Sequence, residues 1–509
     1  MSDNDLSRRG FLGGGAAAGA AIVAGSLPGV GATAEAASKK KKKPRKLRTK
    51  RVDVVVVGGG LAGLTAAYNL IRNRHSVAVI EANDRVGGRV LNHDIGGGEI
   101  SEAGGTFLGP TQDRIKAMAD TLGVGTFPTY DTGDNVYIAE GMRSTYSDSS
   151  ALGTAPPDPV LIGDLAKVVM ELDQMSLEVP VDAPWTAARA AEYDGQTLDT
   201  FIRNNSTPVE AERFRKLVAA ATRPIFGVEP TEISLLFTLF YIAASGNEQN
   251  AGTFERNFNT RGGAQESRFI GGSYQIPLRL QKALGRRVVL SSPVRQIRDS
   301  AGGVSVISDR INIKAKRAIV AMPPALAGRI DYSPHLPAER DQLTQKLPQG
   351  TLGKVAAVYD RPFWRDKGLN GTILSIDGYI SATFDDSPPD GSPGVVFGFI
   401  GGTKNREFFA LSPDARRAAA LKELSAALSP EAGSPTEYIE TNWPAEQWSR
   451  GGPVGVAGPG VLTSLGGALR KPVGRIHWAS TETSTYWNGY MDGAVRSGER
   501  AAREVLDKL

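Results

Sequence analysis

Four consecutive valines, Val54 to Val57, stand out against the mixed pattern at the start of the chain. An apolar run that short is too brief for a buried helix and reads as an inner strand of a parallel sheet. An Ala/Leu-rich helical pattern follows, then a second apolar strand over 77–80. Residues 113–122 alternate as a short amphipathic helix. From about 136 to 260 helical periodicity dominates, over 161–175, 208–221 and 232–244, with Pro-rich joints at 155–157 and 180–184. Leu235, Leu236, Phe237, Leu239, Phe240 and Tyr241 are expected in a core, with cavity lining as the alternative. Beta character returns at 268–272, 287–307 and 317–322, and 288–295 and 303–307 are expected to join the first sheet. The mixed block 331–449 predicts strands at 354–360 and 394–401 and a helix at 413–428. A strand at 476–479 then delivers the turn Ser480-Thr481-Glu482-Thr483 into an amphipathic helix from about Asp492. No internal repeat or Gly/Ser linker separates these blocks, so two domains interleave.

The first strand ends in Gly58-x-Gly60-x-x-Gly63. The first glycine permits a tight turn, the second lets backbone approach a pyrophosphate, and the third lets helix and strand pack closely. The helix N-terminus offers free N–H groups to phosphate. The second strand ends in Glu81, placed to accept hydrogen bonds from a ribose. Strand, glycines, helix, strand and acid in that order predict dinucleotide binding; a purely structural βαβ unit is the alternative. The glycines of Glu102-Ala103-Gly104-Gly105 suit either close passage by a flat ligand or a plain turn. The 480–483 turn reads either as a second ligand-facing helix start or as a simple cap.

The 509 residues carry a formal charge of +5, which misleads. Residues 39–51 hold ten Lys/Arg and no acid, and the remainder after them is net acidic. The pI of 9.1 therefore gives no reason to expect nucleic acid. The basic run is expected to be a disordered leader, with contact to an anionic envelope surface as the alternative. Ahead of it, Ser7-Arg8-Arg9-Gly10-Phe11-Leu12 is a twin-arginine signature, followed by a short Gly/Ala stretch and small residues suited to cleavage. That stretch is too short and glycine-laden for a transmembrane anchor. Export by the twin-arginine machinery, to a secreted or envelope-associated location, is the expectation. No cysteine is present, which excludes disulfides, thiolate metal sites and any flavin attached through sulfur. Four scattered histidines leave no basis for a metal site.

Together the blocks VVVVGGGLAGLTAA, VIEANDRVGGRV, EAGGTFLGPTQDRI, VPVDAPW, RGGAQESRFIGGS, AMPPAL, GTLGKVAAVYDRPFWR, NWPAEQW and STETSTYWNGYMDGAVRSGERAAREVL resemble the flavin-dependent amine oxidases, the monoamine oxidase family, over nearly all of residues 52–509. The resemblance implies an α/β fold with a discontinuous Rossmann-type FAD-binding domain (52–135, 265–330, 450–509) interleaved with an α+β substrate domain (136–264, 331–449). Residues 1–38 are the signal peptide and 39–51 the leader. Gly58, Gly60, Gly63, Glu81 and Arg89 would hold the ADP half of FAD, and the Val294 backbone would meet the adenine. Glu482 and its turn, with the helix start at Met491, would meet the ribityl chain and pyrophosphate. Trp443 would pack on the flavin. Lys354 matches the lysine that holds a water against flavin N5 and assists reoxidation. Tyr490 matches one wall of the aromatic cage, and Phe107, Gln265 and Val454 would line the substrate cavity.

The sequence departs from that family where covalent members carry a cysteine. The loop reads Arg450-Gly451-Gly452-Pro453-Val454-Gly455, and 449–477 contains no Tyr, Phe or Trp. The flavin is therefore expected to be non-covalent, and the cage one-sided, with Tyr490 facing a small residue. The implied reaction takes an uncharged amine to an imine, then an aldehyde or ketone, with O2 reduced to H2O2. The cofactor does the hard step. Alternatives are oxidation of a C–N or C–C bond in a larger metabolite, or a catalytically silent FAD-binding protein. A small-molecule amine and O2 are the expected partners, and a homodimer is kept open.

Overall fold

The computed structural model describes residues 48–148, 155–207 and 210–509. The expected signal peptide and most of the basic leader lie outside them. Two sheets organise the rest. The first has eight strands, in the order Asp331–Ser333, Val294–Ser300, Gly303–Ser308, Ile311–Ala321, Arg48–Val57, Val77–Ile80 and Val288–Val289, with Ile476–Ala479 also pairing Ile311–Ala321. Val54 to Val57 pair in parallel with both neighbours, Val77 to Ile80 and Arg317 to Val320, and are buried. A strand buried on both faces needs no alternation, which is why it reads as an unbroken apolar run.

This strand begins at Arg48, six residues before the predicted start at Val54. Its partner Ile311–Ala321 is long enough to continue the ladder, so Arg48 to Arg51 pair with Ile311 to Lys314. The end of the basic leader is thus ordered sheet, with its charges on the exposed part of a strand. The same sheet takes in Asp331–Ser333, just past residue 330.

The second sheet has seven strands, ordered Glu437–Asn442, Leu352–Tyr359, Gly394–Gly401, Ala382–Asp385, Leu369–Ser375, Asp134–Ala139 and Met142–Tyr146. Helices Ile162–Ser176, Ala211–Phe226 and Leu235–Ala243 contribute to one large apolar cluster beside it. Ser234 starts the last of these, its Oγ accepting from Phe237 N at 3.0 Å, which satisfies one of the amides left free at a helix start. The final helix, Met491–Leu506, lays its apolar face on the core that surrounds Leu61–Arg72. Among the described residues no helix is long and apolar enough to cross a membrane, and no group of side chains is set to hold a metal.

Candidate active site

A cavity of about 1070 Å³ runs from the glycine turn of the first sheet to the helices beside the second. At one end the chain leaves the Arg48–Val57 strand at Gly58, whose φ of +108° is closed to most side chains. A Cβ there would overlap the Ala321 carbonyl oxygen, and one at Gly63 would overlap that of Gly58. Gly63 does not line the cavity; it lets the Leu61–Arg72 helix sit close enough for Gly58 and Gly60 to do so. Glu81 lies beside them, buried, accepting from Asn83 N at 2.7 Å and from Gly59 N. Burial pushes its carboxyl above the ordinary range, and its wall position leaves it facing whatever donor enters. Ser291 and Ser292 bond back to the Asn83 and Glu81 carbonyls, which brings Val294 to the same wall. A Cβ-free turn and a buried acceptor at the end of an adjacent strand fit the pyrophosphate and ribose of a dinucleotide.

Arg89 also lines this end, but its guanidinium is engaged. It bonds both oxygens of Glu482, at 2.7 and 3.2 Å, and the Pro453 carbonyl at 2.6 Å. Glu482 is buried, accepts further from Gln349 and Gly455 N, and is absent from the cavity wall. This corrects its expected role: Ser480 and Thr481 of the turn line the cavity, as does Met491 at the following helix start. The glutamate instead ties Arg89 to that turn. Trp443 lines the wall with its Nε1 donating to the Ala103 carbonyl at 3.0 Å.

Lys354 comes from the Leu352–Tyr359 strand and is buried at the cavity wall. Its Nζ donates to the carbonyls of Glu102 (2.9 Å) and Gly104 (2.7 Å) and to Thr106 Oγ1 (2.7 Å). It also lies 3.9 Å from the centre of the Phe397 ring. Burial pushes it down to about 8 against the opposing pull of Asp386 and Glu102. Phe107, Gln265 and Tyr490 line the other end of the same cavity. Tyr490 is fixed by its hydroxyl, which donates to the Asn257 carbonyl at 2.9 Å, and burial keeps that hydroxyl protonated.

Val454 does not line the cavity. Its backbone is pinned by Gly350 N, and its side chain is fully buried in the apolar cluster; Gly452 and Pro453 form that part of the wall. The loop contributes no aromatic ring, as expected, yet Tyr490 does not simply face a small residue. Tyr241 packs on it at 5.7 Å between ring centres, and Trp487 meets it edge-on at 4.8 Å. Tyr241 therefore serves both readings of its helix, core and cavity wall.

A family model described as flavin containing amine oxidoreductase matches residues 61–506. The chain belongs to that family. This amine oxidase is 41% identical over 459 residues to AofH of Mycobacterium tuberculosis, which bears a flavin-containing monoamine oxidase name; the match covers 90% of this chain and 97% of that one. It is similar to a solved structure of putrescine oxidase with putrescine bound (32% identity, TM-score 0.84, covering 90% of this chain and 100% of that one). It is equally close to the cyclohexylamine oxidase of Brevibacterium oxydans IH-35A (33% identity, TM-score 0.84, 90% and 99%). The enzyme uses FAD and oxidises an amine with O2 as acceptor.

Bound FAD supplies the two-electron redox chemistry. The protein's own work is then to bind, orient and exclude water. Gly58, Gly60 and Glu81 would hold the dinucleotide end, and Trp443, Thr106 and Lys354, which line the same cavity, would flank the flavin. Phe107, Phe384, Leu217, Ile225 and Tyr490 line the cavity as well and would give the amine an apolar surround that favours its uncharged form.

Proposed function

We propose that this amine oxidase holds its FAD without a covalent bond and prefers an amine that carries a second, cationic end. The observation that carries the substrate reading is the division of charge along the cavity. Among the described lining residues, the arginines are Arg89, Arg295, Arg329 and Arg450; Arg89 is tied to the Glu482 turn, and Arg295 follows Val294 and packs on Trp448, two residues before Arg450, all on the dinucleotide side. Beyond Lys354 the charged lining residues are Asp148, Asp173 and Glu255. Asp173 bonds Phe254 N with one oxygen at 2.7 Å, and burial raises its carboxyl; burial raises Asp148 as well. Acids in such surroundings gain from a cation set against them. A substrate carboxylate would meet no arginine there, which weighs against amino acids. Putrescine, the ligand of one structural relative, is a diamine. The absence of cysteine supports a non-covalent flavin.

The test is anaerobic bleaching of the bound flavin by a straight-chain monoamine and the diamine of equal length. The diamine should half-saturate at a concentration at least about tenfold lower, the worth of one charge-assisted contact. Asp173→Asn should narrow that gap. Equal half-saturation by both amines would refute the dication preference, and bleaching by no amine would return the chain to a silent FAD-binding protein.

We also propose export through the twin-arginine pathway, supported by Ser7 to Leu12 and the small residues after them. Paired Arg8→Lys and Arg9→Lys changes should retain the enzyme inside a host that otherwise exports it. Unchanged export would remove the proposal.

A further inference from the structure

Behind Lys354 lies a set of buried charges that the sequence blocks do not announce. Arg268, on the Ser267–Phe269 strand, pairs with Glu102 (Nε to Oε2, 3.2 Å) and with Asp386 (Nη2 to Oδ1, 2.6 Å). All three side chains are within 4% of full burial. Glu102 also accepts from Ser273 N at 2.9 Å, and Asp386 from Ser101 Oγ and Glu102 N. Arg268 spends its other donors on the carbonyls of Asp386 and Ser387. With Lys354 bonded to the Glu102 carbonyl, the four residues form two acids and two bases where two short two-stranded ribbons meet the seven-stranded sheet.

We propose that Glu102, Asp386 and Arg268 are positioning residues for the oxygen half-reaction: their combined charge sets whether Lys354 stands at the cavity wall as an ammonium. The inference rests on the amine-oxidase reading and on the reoxidation role that the family resemblance implies for Lys354. The groups that bear on the lysine are few. The strand ending at Glu102 supplies that carboxylate, Ser267–Phe269 supplies Arg268, and the segment after Ala382–Asp385 supplies Asp386. Asp385 acts on Arg268 in turn. The remaining neighbours are Thr106 and the rings of Phe397 and Phe399. Aromatic walls and burial favour a neutral amine, and the two carboxylates oppose them. Burial raises Glu102 to about 7, and above that value the four ionised groups balance to zero. Deleting one acid leaves an excess positive charge, and the lysine must shed it because a guanidinium does not deprotonate. Deleting Arg268 leaves an excess negative charge, which holds the lysine proton more firmly.

The test uses flavin-loaded enzyme, reduced anaerobically with amine and mixed with oxygenated buffer from about pH 6 to about pH 10, a range centred on the lysine's depressed value. The readout is the pH at which the reoxidation rate changes. Glu102→Gln and Asp386→Asn should each move that inflection down by about one unit, and Arg268→Gln should move it up. Damage to packing alone cannot produce shifts of opposite sign. An inflection that stays put, or moves the same way in acid and base variants, overturns the proposal. So does loss of the flavin-loaded protein in all three, which would make the cluster a folding element only. Lys354→Met separates the layers: if it leaves reoxidation unchanged, the role given to the lysine fails first, whereas amine-dependent bleaching in every variant keeps the oxidase reading intact.

Discussion

Lys354→Met enzyme should still be bleached by amine at a rate within about threefold of the parent, while its reoxidation by O2 falls by at least about a hundredfold, the loss expected when one preorganised charge is removed from a dry site. The asymmetry follows from where the side chain ends. Nζ is fixed by two carbonyls and Thr106 Oγ1, and the buried side chain lines the cavity. Amine oxidation is expected to draw on the apolar surround and on Tyr490, which methionine leaves alone. Oxygen reduction builds negative charge, and a nearby ammonium stabilises it. Methionine matches the length of the stem but leaves the carbonyls of Glu102 and Gly104 without that donor. Some thermal stability should therefore be lost as well. Stopped-flow traces of the two half-reactions decide the matter. A variant slowed mainly in amine oxidation would strip Lys354 of this role.

Arg89→Ala is the second large effect, and its origin is electrostatic. In the folded protein burial works to raise the Glu482 carboxyl, but the charge and hydrogen bonds of Arg89 outweigh it and hold the group below its usual value. The pair's contribution to stability is therefore complete above the ordinary carboxylate range and fades as pH falls through the lowered value. Without Arg89, burial is opposed only by the weaker hydrogen bonds from Gln349 and the backbone, and the carboxyl rises. The variant should then lose about 3–5 kcal/mol at neutral pH, the cost of a buried charge left unpaired. The gap to the parent should close as the medium is acidified. Adding Glu482→Gln to Arg89→Ala should restore most of the stability, since the uncompensated charge goes with it. Thermal unfolding of the single and double variants at two pH values measures this. A double variant no better than the single one would mean that Arg89 acts through Pro453 and the flavin rather than through Glu482.

What could be read from the chain follows from the range of the forces involved. Gly58, Gly60, Gly63 and Glu81 lie within one βαβ unit, so spacing alone places them. Val54 to Val57 announce their burial by composition. The residues that were misplaced depend on partners far along the chain. Glu482 turns from the cavity because Arg89, 393 positions earlier, claims both its oxygens. Val454 turns into the core because Gly350 pins its backbone. Glu102, Arg268 and Asp386 each fall on a different short strand or its end, with no periodicity to link them. Glu102 and Arg268 sat in blocks already singled out for other reasons, and only the pairing of the two showed why a charge is there. Tyr241 looked like one more core residue because it is one, and its second contact is with a ring near the other end of the chain.

The single chamber that carries both dinucleotide and amine also bears on how the enzyme endures. A ligand that fills so large a share of the interior, and that only the folded form recognises, drags the folding equilibrium toward the native side by mass action, in proportion to the logarithm of its free concentration. Durability and loading are then one property seen twice: a molecule that never met its prosthetic group would be the first to melt or be digested.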